Sequence, residues 1–230
     1  MKSICNFGYA RGKRGGGSFP NVRGLLKYLQ YRDNRDDHIP MAGGPERWVD
    51  GGLGTCYQHI LSRLDELSPA NRHAYCHALV ISPDPEALAG VEGDPSPDGD
   101  LRQARFVEAV REAIEEWEAW RLEHDRRPQV GPIEYSLVVH RPARDYGEQM
   151  HAHVILAAAT EDPLTRERTP LYNNRAEIDA FKETVYRQLD RVYELDRERE
   201  RGQEQPEPER GRTAEPEIEP GPSFDLEMSL

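Results

Sequence analysis

At 230 residues the chain suffices for one sizeable domain with a tail, and its 42 acidic against 30 basic side chains leave a net charge of −12. Nowhere does an apolar run reach the roughly 18 residues of a membrane span, and the first residues lack the apolar core of a signal peptide. Cys5, Cys56 and Cys76 are odd in number and lack the C-x-x-C spacing, which excludes a thiolate zinc site and fits free thiols in a reducing cytoplasm.

The charge is unevenly placed. From Met1 to Lys27 every charged residue is basic: Lys2, Arg11, Lys13, Arg14, Arg23 and Lys27. Residues 194–230 carry twelve acids against five arginines, a net of −7, and are broken by Pro206, Pro208, Pro216, Pro220 and Pro222. The basic end can meet phosphate locally in an acidic protein, because the field that matters is local. Residues 1–17 are therefore expected to form a basic flexible arm, and residues 196–230 a disordered acidic tail too polar to offset its ordering entropy.

Between these ends the elements follow in order. Ser18 and Pro20 precede Val22, Leu25, Leu26 and Leu29, the pattern of a capped first helix. Gly43, Gly44 and Pro45, then Gly51, Gly52 and Gly54, predict a mobile connector. Residues 55–67, with Tyr57, Ile60, Leu61 and Leu64 at helical spacing, predict a second helix stopped at Ser68 and Pro69. Residues 74–82 predict a buried strand and 83–100 a loop. Residues 101–123 predict a long amphipathic helix whose Trp117 and Trp120 face the core. Two more strands, 133–139 and 151–157, flank a loop carrying Pro142, Asp145 and Gly147, and a last helix runs from about Arg175 to Asp196. Paired strands among helices predict an α+β fold, a central antiparallel sheet backed by helices. No G-x-x-x-x-G-K-[ST] phosphate loop occurs.

His140, His151 and His153 are the most informative residues. A strand alternates its side chains, so His151 and His153 face the same side, and in a hairpin His140 lies opposite the start of the second strand. Three imidazoles on one point form an open coordination sphere. A structural histidine cluster without an ion is the alternative.

These residues carry a family resemblance. His151, Ala152 and His153 resemble the HUH element of the relaxases, or mobilization nucleases, of the HUH endonuclease superfamily, and His140 resembles the upstream histidine of its metal triad. Residues 74–86 are similar to the family's central strand-and-turn motif, and residues 26–33, with Tyr28 and Tyr31, to the motif that supplies its tyrosine. Met150 stands where the family commonly has Pro, and no Asn follows the element closely.

The resemblance implies a relaxase-like nuclease domain over residues 18–195, which nicks single-stranded DNA at an origin of transfer through a 5′-phosphotyrosine and rejoins it. It implies Mg²⁺ or Mn²⁺, other transition metals remaining open, on His140, His151 and His153. It implies Tyr28 or Tyr31 as nucleophile, with Arg11, Lys13, Arg14, Arg23, Lys27 and Arg32 on the DNA. Accessory mobilization or coupling proteins would be partners, and no membrane. The chemistry fits: attack on a phosphodiester adds charge to the nonbridging oxygens, and a phenol with a pKa of about 10 needs nearby positive charge to act as phenolate. Three other readings stay open: a DNA-binding accessory protein that does not cut, a replication initiator using Tyr186 or Tyr193, and a metal hydrolase using water. His77 reads as a structural partner and Asp33 as a possible base.

Overall fold

A computed structural model describes residues 4–11, 21–35, 38–39, 48–84, 97–124, 129–142 and 150–203. Contacts divide the chain into two compact units, Met1–Leu195 and Asp196–Leu230. The sheet lies in the first.

Strand β1 is Ile4–Ala10, followed by helix α1, Val22–Arg35, and the short strands β2, His38–Ile39, and β3, Val49–Gly51. Helix α2, Tyr57–Leu67, ends in a 3₁₀ turn at Ser68–Ala70 and leads to β4, Cys76–Ser82. Helix α3, Pro97–His124, precedes the central hairpin β5, Tyr135–Pro142, and β6, His151–Ala157. A small ribbon, β7, Ala159–Glu161, with β8, Arg168–Pro170, then leads into α4, Arg175–Gln203.

The main sheet runs β1-β4-β6-β5, with β2 and β3 each pairing with a different part of β5. Every pairing is antiparallel. Helices cover both faces. On one, Phe106, Val110, Ile114 and Trp117 of α3 and Phe181, Val185 and Leu189 of α4 cluster with Leu79, Ile81, Leu137, Val139, Val154 and Leu156. On the other, Val22, Leu26 and Leu29 of α1 and Ile60, Leu61, Leu64 and Leu67 of α2 cluster with Cys76, Ala78, Val138, Ile155 and Ala157. The α+β fold with a helix-backed antiparallel sheet is thus the observed architecture. Trp117 is fully buried, and its indole N–H donates to the Glu177 carbonyl at 2.9 Å.

Several sequence expectations change. Residues 4–10 of the expected arm are a strand, because they pair along their whole length with β4, from Ile4 opposite Ser82 to Ala10 opposite Cys76. Cys5 is buried in the α3/α4 core and Ala10 in the other, so the alternation of this strand serves two cores. Helix α1 starts later than the Ser18 and Pro20 signals indicate: Asn21 caps it, its Oδ1 accepting the Gly24 N–H at 3.0 Å.

The second glycine cluster is a pinned turn. Asp50 Oδ1 accepts the N–H groups of Gly52 and Gly54 at 2.7 and 2.8 Å. Both glycines take positive φ, +113° and +115°, where a side chain would be strained. The first cluster, residues 43–45, lies outside the described residues. Finally, α4 continues to Gln203, past the expected end at Asp196. Residues 204–230, most of the expected tail, lie outside the described residues, as do residues 85–96 of the expected loop 83–100; residues 97–100 of that loop instead form the first turn of α3.

The three cysteines are free and buried. Among the described residues no helix is long and apolar enough to cross a membrane.

Candidate metal centre

The β5–β6 register places His140 directly opposite His151 and Val138 opposite His153. Period two then puts all three imidazoles on one face of the sheet, the one that carries Val138 and Ile155 and that α1 and α2 cover. Ring centroids are 5.5 Å apart for His140 and His151, 5.3 Å for His140 and His153, and 5.0 Å for His151 and His153. His140 is fully buried, and its two partners are half-buried.

These spacings can be compared with what an ion requires. With nitrogen about 2.1 Å from the metal and the ring centre about 1.1 Å further, two ligands at roughly 90–110° have centroids about 4.5–5.2 Å apart. Only the His151–His153 separation falls within that range; the two that involve His140 exceed it by 0.1–0.3 Å. As placed, the described residues contain no group of three His, Cys, Asp or Glu side chains set to hold an ion. The rings are gathered just beyond ligand spacing, so an ion would require them to close slightly and turn their nitrogens toward a common point. The interplanar angles of 44°, 71° and 75° show how differently the rings are now oriented.

Burial along β4 explains why this corner is open. Cys76 and Ala78 lie under the α1/α2 cover, but Val80 and Ser82, two and four residues on along the same face, are only half-buried. Val80 pairs with His153 on one side and with Asn6 on the other. Asn6, Val80, His153 and Val138 therefore form one row across four strands, and the exposed Asn6 amide borders the trio's face. The sequence reading missed Asn6, because it took residues 1–17 for a flexible arm and not for a strand.

Helix α1 lies on the trio's side of the sheet, since its Val22, Leu26 and Leu29 pack in the same core as Val138 and Ile155. Tyr28, at the middle of the helix, and Tyr31, one turn on, have 38% and 39% of their surface exposed. Tyr31 also makes an edge contact with Tyr57 of α2, centroids 6.4 Å apart. Beyond α1 the chain returns as β2 to pair with Arg141 and Pro142, directly after His140. The end of α1 and the strand end bearing His140 are thus tied together.

Other candidates fall elsewhere. Tyr186 packs against the α3/α4 core, with the sheet between it and the histidines. Lys13 and Arg14 lie outside the described residues, as do the side chains of Arg32, Asp33 and Tyr193. Arg23 and Lys27 are exposed on α1. Arg11 sits just past the Ala10 end of β1, opposite Cys76, whereas the trio neighbours the Ile4 and Ser82 end. Arg11 therefore cannot join a nick site at the histidines; the direction of β1 carries it to the other end of the sheet.

His77 points into the α3/α4 side, its ring 5.5 Å from that of Phe7 and its Nε2 3.2 Å from the Leu171 carbonyl. Burial lowers its pKa to about 4. It is a structural histidine and no ligand of the trio.

No protein-family model matches the sequence, and no curated protein matches it. Among solved structures, the chain is similar to the conjugative relaxase TrwC in a metal-bound complex with oriT DNA. The two share 16% sequence identity over 82% of this chain and 70% of that one, with a TM-score of 0.48.

Proposed function

We propose that this protein is a metal-dependent, strand-specific DNA endonuclease and transesterase of the relaxase kind. It would nick single-stranded DNA at an origin of transfer and rejoin it during mobilization of a plasmid or integrated element. The observation that carries this reading is the gathering of His140, His151 and His153 at 5.0–5.5 Å on one sheet face, beside a helix with exposed tyrosines.

The donor set is three neutral imidazoles, which suits Mn²⁺ and other transition ions and leaves Mg²⁺ dependent on phosphate oxygens and water. Held there, a divalent cation supplies positive charge to the nonbridging oxygens of a phosphodiester.

The protein's own groups do the rest. Tyr28, or Tyr31 in its place, attacks phosphorus through its phenolic oxygen. The P–O3′ bond breaks, the 3′ oxygen leaves as a hydroxyl, and the 5′ phosphate stays on the tyrosine. The phosphotyrosine is itself a phosphodiester, so attack by a 3′ hydroxyl reverses the step without ATP. Arg23 and Lys27, on the same helix, would hold neighbouring phosphates.

The test is a covalent adduct. Full-length protein is incubated with Mn²⁺ and a labelled pool of random single-stranded oligonucleotides, then run under denaturing conditions. A protease-sensitive adduct that disappears in Tyr28→Phe or Tyr31→Phe is expected. Binding without adduct or cleavage would establish the accessory reading instead. Cleavage that survives loss of both tyrosines would establish hydrolysis by water.

A further inference from the structure

A second site lies on the opposite face from the histidines, some 10 Å or more along β4. There a cleft of about 450 Å³ is lined by Tyr9, Arg11, Arg72, His73, His77 and Tyr172, with Asn173 at its edge. The volume is in the range of small-ligand clefts. No Asp or Glu is among the lining residues. Arg72 and His73 are exposed, and Arg11 lies 5.9 Å over the Tyr9 ring. Tyr172 leans on His73, centroids 5.6 Å apart. Behind the cleft the buried Arg121, its charge offset by Glu177 at 3.6 Å, donates to the Tyr172 carbonyl at 3.1 Å and to Asn173 Oδ1 at 3.0 Å and so fixes the wall.

Two buried polar atoms at this cleft have no protein partner among the described residues: His77 Nδ1 and Asn173 Nδ2. Their chemistry can be assigned. His77 Nε2 faces a carbonyl, an acceptor, so it carries the proton and Nδ1 of the neutral ring is an acceptor. Asn173 Oδ1 accepts from Arg121, so Nδ2 is the free donor end. An acceptor and a donor are what the hydrogen-bonding edge of a nucleobase complements, and because both atoms are sealed from solvent, a base that uses them must first displace the side chains over them. Tyrosine and histidine faces suit stacking, and guanidiniums without a carboxylate competitor suit phosphate.

We propose that this cleft binds a nucleotide, its phosphate on Arg11 and Arg72 and its base between the Tyr9 and Tyr172 side chains against His77 and Asn173. The nucleotide is either free or one unit of a single strand. The site is independent of the histidine trio and stands whether or not that trio holds a metal.

The experiment uses full-length protein in a chelating buffer, titrated by NMR or calorimetry with dCMP, dAMP, inorganic phosphate and a short single-stranded oligonucleotide. Mononucleotides are expected to bind, and more tightly than phosphate. Arg72→Ala should weaken them about tenfold, with partial recovery in Arg72→Lys. Tyr172→Ala should weaken nucleotides and leave phosphate binding unchanged, and Arg187→Ala, exposed and away from both sites, should change nothing. An oligonucleotide that binds at least tenfold more tightly than dCMP, and loses that advantage in Arg72→Ala, would identify a nucleic-acid strand as the source. Equal affinities would identify free nucleotide. Phosphate binding as well as dCMP, or no nucleotide binding that Arg72→Ala diminishes, would overturn the proposal. Arg72 is exposed, so its variants test the site even should Tyr172→Ala fail to fold.

Discussion

Arg63 and Glu134 meet through two parallel hydrogen bonds, Nε to Oε2 at 2.8 Å and Nη2 to Oε1 at 2.6 Å. The same guanidinium reaches Glu161 Oε1 at 3.0 Å. Helix α2 is thereby fastened to the lead-in of β5 and to β7, at the covered end of the trio's sheet face. Arg63→Ala should lower the unfolding free energy by about 3 kcal/mol, because it removes the bidentate partner of the buried Glu134 and one of three guanidiniums from Glu161. A urea titration of both proteins measures the loss, and a difference below about 1 kcal/mol would show that Arg166 and Arg168 suffice alone for Glu161.

The same cluster sets an acid limit. Burial pushes the Glu161 carboxyl up, but hydrogen bonds from Arg168 and Arg63 outweigh it and hold it below the ordinary range. A depressed carboxylate stabilises the fold above its unfolded pKa of about 4.3, and that contribution disappears as pH falls through the native value. Stability followed from pH 5 to pH 3 should therefore decline less steeply in Glu161→Gln than in wild type, although the variant starts lower.

His77 acts at a higher pH. Its pKa falls from 6.5 to about 4 on burial, so the unfolded chain binds the extra proton between those values and stability must rise with pH across that window. The contribution is on the order of 3 kcal/mol, complete above about pH 6.5 and lost toward pH 4. Urea midpoints at pH 4, 5, 6 and 7 should show a steeper climb for wild type than for His77→Gln. Parallel curves would mean that the charged ring is tolerated.

Metal binding has a readout separate from activity. An ion that binds only the folded protein stabilises it by about 2.7 kcal/mol at a hundred times its dissociation constant. Mn²⁺ should raise the melting temperature of wild type and leave those of His140→Ala, His151→Ala and His153→Ala unmoved. A wild-type melting curve indifferent to Mn²⁺, Mg²⁺, Zn²⁺ and Ni²⁺ would reduce the trio to a structural cluster.

Gly131 is the backbone position least able to change. Its φ is +71°, and a Cβ there would lie 1.9 Å from the Glu161 carbonyl oxygen. Gly131→Ala combines left-handed strain with a clash against backbone that cannot rotate away, so a loss of about 3 kcal/mol or more is expected. Thermal denaturation of the variant checks it.

The histidine hairpin was legible in the sequence because it depends on local rules alone. Two β-rich runs joined by a short polar loop pair antiparallel, and period two then assigns His151 and His153 to one face with His140 across from the first. Long helices were equally legible from their apolar stripes, α3 above all. The strand at residues 4–10 was not, because its sheet is covered on both faces and its alternating residues enter two different cores. Folding also decided relations that no window of sequence contains. It sent Arg11 to the far end of the sheet, put Tyr186 behind it, and turned His77 toward the other core. It joined Tyr9, Arg72 and Tyr172, from three separate segments, around one cleft. Neighbouring residues determine periodicity, so sequence sufficed for the trio; which ends and faces meet depends on burying two apolar surfaces at once, and only the packed chain resolves that.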